Sequence, residues 1–126
     1  MDALWEDAVG RGAVDELRDM LGRGIPVDAR NRHGQTGLMM AAHAGHHDAV
    51  RLLIAHGADL NASAKYGLTP LMLAVVAGHP DVARTIAEAG ADLARQGTGP
   101  PGFAKTAHAM AVERGMTDLA AVLKPA

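Results

Sequence analysis

The sequence contains no cysteine, and this absence excludes several kinds of site. Without thiols there is no disulfide framework, no thiolate zinc site and no cysteine nucleophile, and nothing ties the chain to an oxidising compartment. No apolar stretch approaches the roughly 18 residues of a membrane span, and the N-terminus lacks the basic start and apolar run of an export signal. We therefore expect a soluble, unprocessed, cytoplasmic protein that makes no membrane contact.

Aromatic residues are almost as scarce, because Trp5, Tyr66 and Phe103 are the only three among 126 residues. A core with so few aromatics must be built from small aliphatic side chains, which suits close helix packing better than a β-sandwich. The 14 acidic and 12 basic residues are interspersed along the chain without a basic run. Nucleic-acid binding through phosphate contacts needs a concentrated positive surface and is not expected. The alanine-rich composition, with arginine preferred to lysine, favours a bacterial source.

Catalytic residues are also missing as a set. Ser63 is the only serine, and no glycine-rich loop precedes a lysine in the manner of a phosphate-binding loop. No combination of nucleophile, base and orienting group can be assembled from the remaining residues. We therefore predict that the protein is not an enzyme and uses no cofactor.

What the sequence does contain is an internal repeat of 33 residues, a period typical of stacked repeat proteins. Gly12, Gly45 and Gly78 keep this step, whereas Gly115 lies 37 residues after Gly78, which is the same step plus four. The extra residues fall in the breaker-rich stretch 97–102, where a loop can lengthen without disturbing helices. We predict a single domain, 1–126, with copies at about 2–30, 31–63, 64–96 and 97–126 and a four-residue loop insertion before the last.

The third copy reads as two short helices. Thr69-Pro70 provides an N-cap followed by proline at the first helical position, and Gly78 ends the helix. His79-Pro80-Asp81 begins a second helix, which Gly90 stops. Helices of about 8–10 residues are too short to persist alone in water, so neighbouring copies must stabilise them. The fold prediction is an all-α solenoid of four stacked helix-turn-helix units with short hairpin-like loops.

These copies resemble ankyrin repeats. The resemblance rests on the segments Gly67-Leu68-Thr69-Pro70-Leu71, Gly78-His79 and Gly57-Ala58-Asp59-Leu60-Asn61-Ala62, and it extends from about Trp5 to Leu123. Two departures stand out. The family histidine that ties neighbouring repeats through hydrogen bonds is replaced by Met39 and Met72, so we expect packing to perform that role. The aspartate of the family's turn is replaced by Asn31 and Ala64.

The resemblance implies a protein-protein interaction module, monomeric when alone, that acts on an unidentified partner protein by occlusion, stabilisation or scaffolding. In the family, the hairpin tips and the exposed side of each first helix form the binding surface. Glu6 and Arg11 would lie at its edge. Carried over position by position, the surface here comprises Arg32, His33, Gln35, His43, Lys65, Tyr66, Leu68, Val76, Phe103, Lys105, Glu113 and Arg114.

Tyr66 and Phe103 occupy equivalent positions once the insertion is allowed for. Two aromatics on adjacent hairpin tips could anchor a partner, each contributing about 2 kcal/mol or more when buried. Alternatively, Phe103 folds back over the long loop and Tyr66 is only a half-exposed tip residue. The sequence leaves both interpretations open.

Seven histidines and several methionines raise a second hypothesis, that of a metal- or small-ligand-responsive protein. His43, His46 and His47 form the densest group, but Gly45 should break the helix between them and remove the spacing that a helical metal pair needs. Met39, Met40 and Met72 are better explained as filler of the core or groove. The repeated pairs Asp15/Arg18, Asp48/Arg51 and Asp81/Arg84 are interpreted as solvated helix-end charges and not as catalytic carboxylates.

Overall fold

The computed structural model describes residues 1–100 and 104–125, and these ranges contain eight α-helices and no β-strand. Arg30 and Thr36 form an isolated bridge at the base of one hairpin loop. A turn of 3-10 helix, Lys65–Gly67, forms the tip of the next loop. The helices are α1 (Ala3–Arg11), α2 (Val14–Gly22), α3 (Gly37–Ala44), α4 (His47–Ala55), α5 (Pro70–Val76), α6 (Pro80–Glu88), α7 (Ala107–Glu113) and α8 (Thr117–Val122).

Consecutive helices pack as four pairs, and the pairs stack in chain order. The inner helices α1, α3, α5 and α7 form one layer, in which each contacts the next. The outer helices α2, α4, α6 and α8 form the second layer in the same way. This two-layer stack confirms the predicted all-α solenoid of helix-turn-helix units. Within the described ranges, no helix has the length and apolar character needed to cross a bilayer.

Threonine caps begin three of the inner helices. The hydroxyls of Thr36, Thr69 and Thr106 each accept a hydrogen bond from the backbone N–H three residues later, at 3.3, 3.3 and 3.2 Å. The predicted helix start at Thr69-Pro70 is therefore confirmed. The helices span six to nine residues, slightly fewer than the sequence indicated. Helix α5, for example, ends two residues before Gly78. Their shortness makes the stacked neighbours their main source of stability.

The core lies between the two layers and is almost entirely aliphatic. Met39 and Met72 lie in it, with exposed fractions of 0% and 1%, which confirms their interpretation as core filler. Trp5 is fully buried in α1 at the register position that Leu38 and Leu71 hold in α3 and α5. The leucines, isoleucine and valines with exposed fractions of 2% or less are Val9, Leu17, Leu38, Val50, Leu53, Leu71, Val75, Ile86, Leu119 and Leu123.

A backbone hydrogen bond at the base of each hairpin loop locates the insertion. The N–H of Asn31 donates to the carbonyl of Gln35 at 2.9 Å, and Ala64 donates to Leu68 at 3.3 Å. In the last loop Gly97 donates to Lys105 at 3.0 Å, so the extra four residues lie between these two. Residues 101–103 lie outside the described ranges, and the predictions for Phe103 therefore stay predictions. The limits of the four copies also stay predictions.

Two histidines join neighbouring helix pairs. His46 Nε2 donates to the carbonyl oxygen of Gly10 at 2.9 Å, and His79 Nε2 donates to that of His43 at 3.1 Å. This corrects the expectation that packing alone replaces the missing family histidine. A different histidine, the one after the helix-ending glycine, makes the inter-repeat hydrogen bond here. At the last junction Met116 occupies this position and has no ring nitrogen to donate.

Candidate partner-binding surface

A groove of about 280 Å³ lies on the side of the inner helices between two hairpin loops, residues 31–35 of the second copy and 64–68 of the third, called the second and third hairpins below. Five residues predicted for the binding surface meet there, although they belong to two different copies. Sequence reasoning missed Leu73, which lies on α5 one turn before the exposed Val76 and could have been found by that spacing. The groove is lined by His33, Gln35, Ala64, Lys65, Tyr66, Leu68 and Leu73.

The tip of the third hairpin has an unusual backbone. Tyr66 has φ +64°, and it is the only non-glycine residue with positive φ in the described ranges. In the second hairpin, Asn31 Oδ1 accepts the N–H groups of His33 and Gln35 at 2.9 and 3.0 Å and so performs the role of the turn aspartate. Ala64 has no such acceptor, and the third loop closes instead as a 3-10 turn around Tyr66. The left-handed conformation fixes where the aromatic ring projects.

The Tyr66 ring is half-buried and forms one wall of the groove. It packs against the inserted loop so closely that a Cβ atom at Gly99 would lie 2.8 Å from Tyr66 Cδ1. The N–H of Thr98 donates to the Tyr66 carbonyl at 2.5 Å, and Lys65 Nζ lies 4.9 Å from the centre of the ring. Residues 98 and 99 of the insertion therefore pack against Tyr66 without lining the groove.

Six of the predicted residues in the described ranges lie outside the groove lining, and three of these belong to the second and third copies. Arg32 and His43 are exposed, and Val76 is 40% exposed on α5. They extend the surface along the inner helices and the second hairpin tip without closing a cavity. The structure thus separates the predicted set into a groove and a flatter surround.

The predicted residues at the fourth helix pair already make contacts within the chain. Lys105 and Glu113 form an ion pair, and the Arg114 guanidinium donates to the carbonyl of Met110 at 3.2 Å. These side chains would have to exchange existing bonds for bonds to a partner. They are therefore weaker candidates for partner contacts than the groove residues.

The first-copy edge residues are engaged in the same way. Glu6 accepts a hydrogen bond from Asn31 Nδ2 at 3.3 Å. Arg11 contacts Glu16 at 2.7 Å and Asp7 at 2.9 Å. The hydrogen bonds to Glu16 and Asp7, together with their negative charges, hold the pKa of the Arg11 guanidinium above its usual value. Arg11 is thus paired with two carboxylates, and the N-terminal edge of the surface carries more negative than positive charge.

Charges are segregated in space, although they are interspersed along the sequence. Residues 29–47 and 60–80, which form the second and third hairpins and inner helices, contain no aspartate or glutamate. They do carry Arg30, Arg32 and Lys65. The carboxylates between residues 31 and 96 lie on the outer helices or the turns that follow them, at Asp48, Asp59, Asp81, Glu88 and Asp92. The central inner surface is therefore cationic.

The dense histidine group does not converge. His46 is turned towards Gly10, and His47 Nε2 lies 2.6 Å from Thr85 Oγ1. His43 is on α3 and His47 on α4, so no single helix presents both. In residues 1–100 and 104–125, no three histidine, aspartate or glutamate side chains are grouped so as to hold a metal ion.

The three repeated aspartate-arginine pairs differ from one another. Asp15 and Arg18 form an ion pair at 2.9 Å with both side chains more than half exposed, as expected for solvated helix-end charges. In the described structure, the corresponding pairs on α4 and α6 are not within ion-pair distance. Asp48 and Asp81 nevertheless lie in the first turns of α4 and α6, where a negative charge is favourable.

The stacked helix pairs, joined by hairpin loops that frame a groove, define a helical repeat protein of the solenoid class. A family model for ankyrin repeats in three copies matches residues 6–97. The chain belongs to the ankyrin-repeat family. The pair α7 and α8 follows the matched residues and continues the stack. Among curated proteins, none matches the chain. Ankyrin repeats are generally protein-protein interaction modules.

Proposed function

We propose that this protein binds a partner protein through the groove between its second and third hairpin loops and the adjoining face of the inner helices. The observation that supports this is the convergence of His33, Tyr66 and Leu68 around one cavity. An apolar floor with a polar, aromatic rim is the kind of surface that anchors a partner side chain.

The rest of the predicted surface would contribute at its periphery. The exposed Arg32, His43 and Val76 adjoin the groove on the same side of the stack and would enlarge the contact. Stable protein interfaces bury about 1,200–2,000 Å² in total, far more than one small groove provides. The partner would therefore cover several hairpins, and it would be occluded, stabilised or scaffolded by this contact.

Binding measurements on groove variants test this proposal. The partner is captured from an extract of the cells that express the protein, purified, and titrated by calorimetry. Tyr66→Asn removes the ring but tolerates the positive φ, because asparagine is enriched in left-handed conformations. Combined with Leu73→Ala, it should weaken binding about tenfold or more.

A matched control comes from the opposite face. Arg51→Ala changes an exposed residue on the outer helix α4 and should alter the affinity less than about twofold. Unchanged far-ultraviolet circular dichroism must accompany both variants. Full affinity in the groove double variant, or a large loss in the Arg51 variant, would place the partner elsewhere.

A further inference from the structure

On the basis of the proposed function, we infer that the part of the partner held in the groove is an extended acidic segment carrying one apolar side chain. Its carboxylates would meet the cations at the second and third hairpins, and the apolar side chain would enter the cavity between them.

The cations of this surface have no carboxylate partners of their own. The six ion pairs in the described ranges use Arg11, Arg18, Arg23, Arg95 and Lys105, so Arg32 and Lys65 are left to interact with incoming charge. Both are exposed at the loop tips. They are therefore placed to meet a negatively charged segment that crosses from one loop to the next.

Arg30 fixes a third positive charge between the same loops. Its guanidinium donates to the carbonyl of Gly34 at 2.6 Å and to that of Ser63 at 3.0 Å. These neutral acceptors position the side chain across two hairpins without cancelling its charge. Backbone carbonyls of two neighbouring hairpins thus hold one cation in place, in addition to the two exposed cations at the loop tips.

Residues 29–47 and 60–80 supply no carboxylate to this surface. Glu113 is paired with Lys105, whereas Glu6 accepts a hydrogen bond from the neutral amide of Asn31 and keeps its charge at the N-terminal edge of the surface. The remaining carboxylates of the second and third copies belong to the outer helices and their following turns. Exposed charges are screened over about 8 Å at physiological salt, so a ligand at the inner surface responds mainly to the charges nearest to it.

The cavity indicates that an apolar side chain accompanies the charges. Ala64, Leu68 and Leu73 supply an apolar lining, and the Tyr66 ring stands beside them. The volume of about 280 Å³ lies just below the roughly 300–1,000 Å³ of sites for drug-sized ligands. A side chain projecting from an extended segment matches this size better than a bulky cofactor does.

Carboxylates fit this surface better than the phosphates of a nucleic acid. A protein that binds the phosphate backbone of a nucleic acid with strong salt dependence makes about 6–10 phosphate contacts. The groove and the hairpins beside it offer only Arg30, Arg32 and Lys65 as permanent cations, and the whole chain has a formal net charge of −2. A short acidic peptide needs no more than these.

Three labelled peptides test the inference with the full chain in a fluorescence polarisation assay. The first has four glutamates on each side of a central leucine, the second replaces all glutamates by lysines, and the third replaces the leucine by glycine. The glutamate-leucine peptide should bind about thirtyfold more tightly than the lysine peptide and about tenfold more tightly than the glycine peptide. Its affinity should fall as salt is raised.

Charge-reversal variants provide the matched comparison. Lys65→Glu should weaken binding of the glutamate-leucine peptide about tenfold, whereas Arg51→Glu on the outer helix α4 should change it less than about twofold. Equal binding of the glutamate and lysine peptides would overturn the inference. So would equal losses in the two variants, or a short oligonucleotide that binds more tightly than the acidic peptide.

The inference and the proposed function can fail separately. If the partner loses affinity for the groove double variant but the peptides show no preference for acidic charge, the function stands and the acidic segment is wrong. If the partner binds the double variant normally, the groove is not its site, whatever the peptides do.

Discussion

Replacing Gly45 by alanine should destabilise the protein far more than the same replacement at Gly78. Both glycines follow an inner helix and have positive φ, +76° and +82°. At Gly45 a Cβ atom would lie 2.6 Å from His79 Cε1, whereas at Gly78 it would meet no atom within 4 Å. Both substitutions therefore strain the backbone, but only the substitution at Gly45 also displaces a histidine.

The expected magnitudes follow from these contacts. Alanine in a left-handed conformation costs about 1–2 kcal/mol, which is the whole expected effect at Gly78. At Gly45 the His79 ring must move as well, and losing its hydrogen bond to the carbonyl of His43 adds about 0.5–1.5 kcal/mol. With the lost packing of the ring, Gly45→Ala should reduce the free energy of unfolding by about 2–4 kcal/mol.

Urea unfolding followed by circular dichroism at the helical band measures both values. A double-mutant cycle isolates the contact, because Gly45→Ala combined with His79→Ala should cost less than the sum of the two single variants. Equal destabilisation by Gly45→Ala and Gly78→Ala, or strict additivity in the cycle, would refute the role of His79 as a link between repeats.

Three further predictions concern the core, a helix start and the last junction. Leu53→Ala should lower the free energy of unfolding by about 2–5 kcal/mol in urea titrations, because Leu53 is fully buried; a loss below about 1 kcal/mol would contradict this packing. Gly37→Ala should raise the free energy of unfolding by about 0.5–1 kcal/mol, because alanine has a higher helix propensity than glycine. The added Cβ atom would lie 3.5 Å from side-chain atoms of Trp5 and Val9, which is an ordinary contact; a lower free energy of unfolding would contradict this. Amide hydrogen exchange should be faster in α7 and α8 than in α3 to α6, because Met116 stands where His46 and His79 make their hydrogen bonds; equal protection would contradict the weaker junction.

Much of the fold could be predicted because its determinants are local. The N-caps at Thr36 and Thr69 and the glycines after the inner helices act within a few residues of the turns that they define. Their recurrence at a fixed period then predicts the stacking, since each short helix pair needs a neighbour to bury its apolar face. The family match across residues 6–97 agrees with this derivation.

Features that depend on contacts between copies, or on how a loop closes, could not be predicted in the same way. The hydrogen bonds of His46 and His79 cross to the preceding helix pair, so only the stacked geometry reveals them. The positive φ of Tyr66 likewise depends on how the third loop closes without the side-chain acceptor of Asn31. The cationic surface was hidden in the sequence because Asp48 and Asp81 of the outer helices follow closely after α3 and α5, which contain no carboxylate.

Site-specific photo-cross-linking tests the binding groove most directly. A photoreactive amino acid replaces Leu68 in one version of the protein and the outer-face residue Arg51 in another, and each is irradiated in an extract of the expressing cells. We expect the version labelled at Leu68 to form a discrete cross-linked complex and the version labelled at Arg51 to form none. A complex formed only from position 51 would contradict binding through the inner surface.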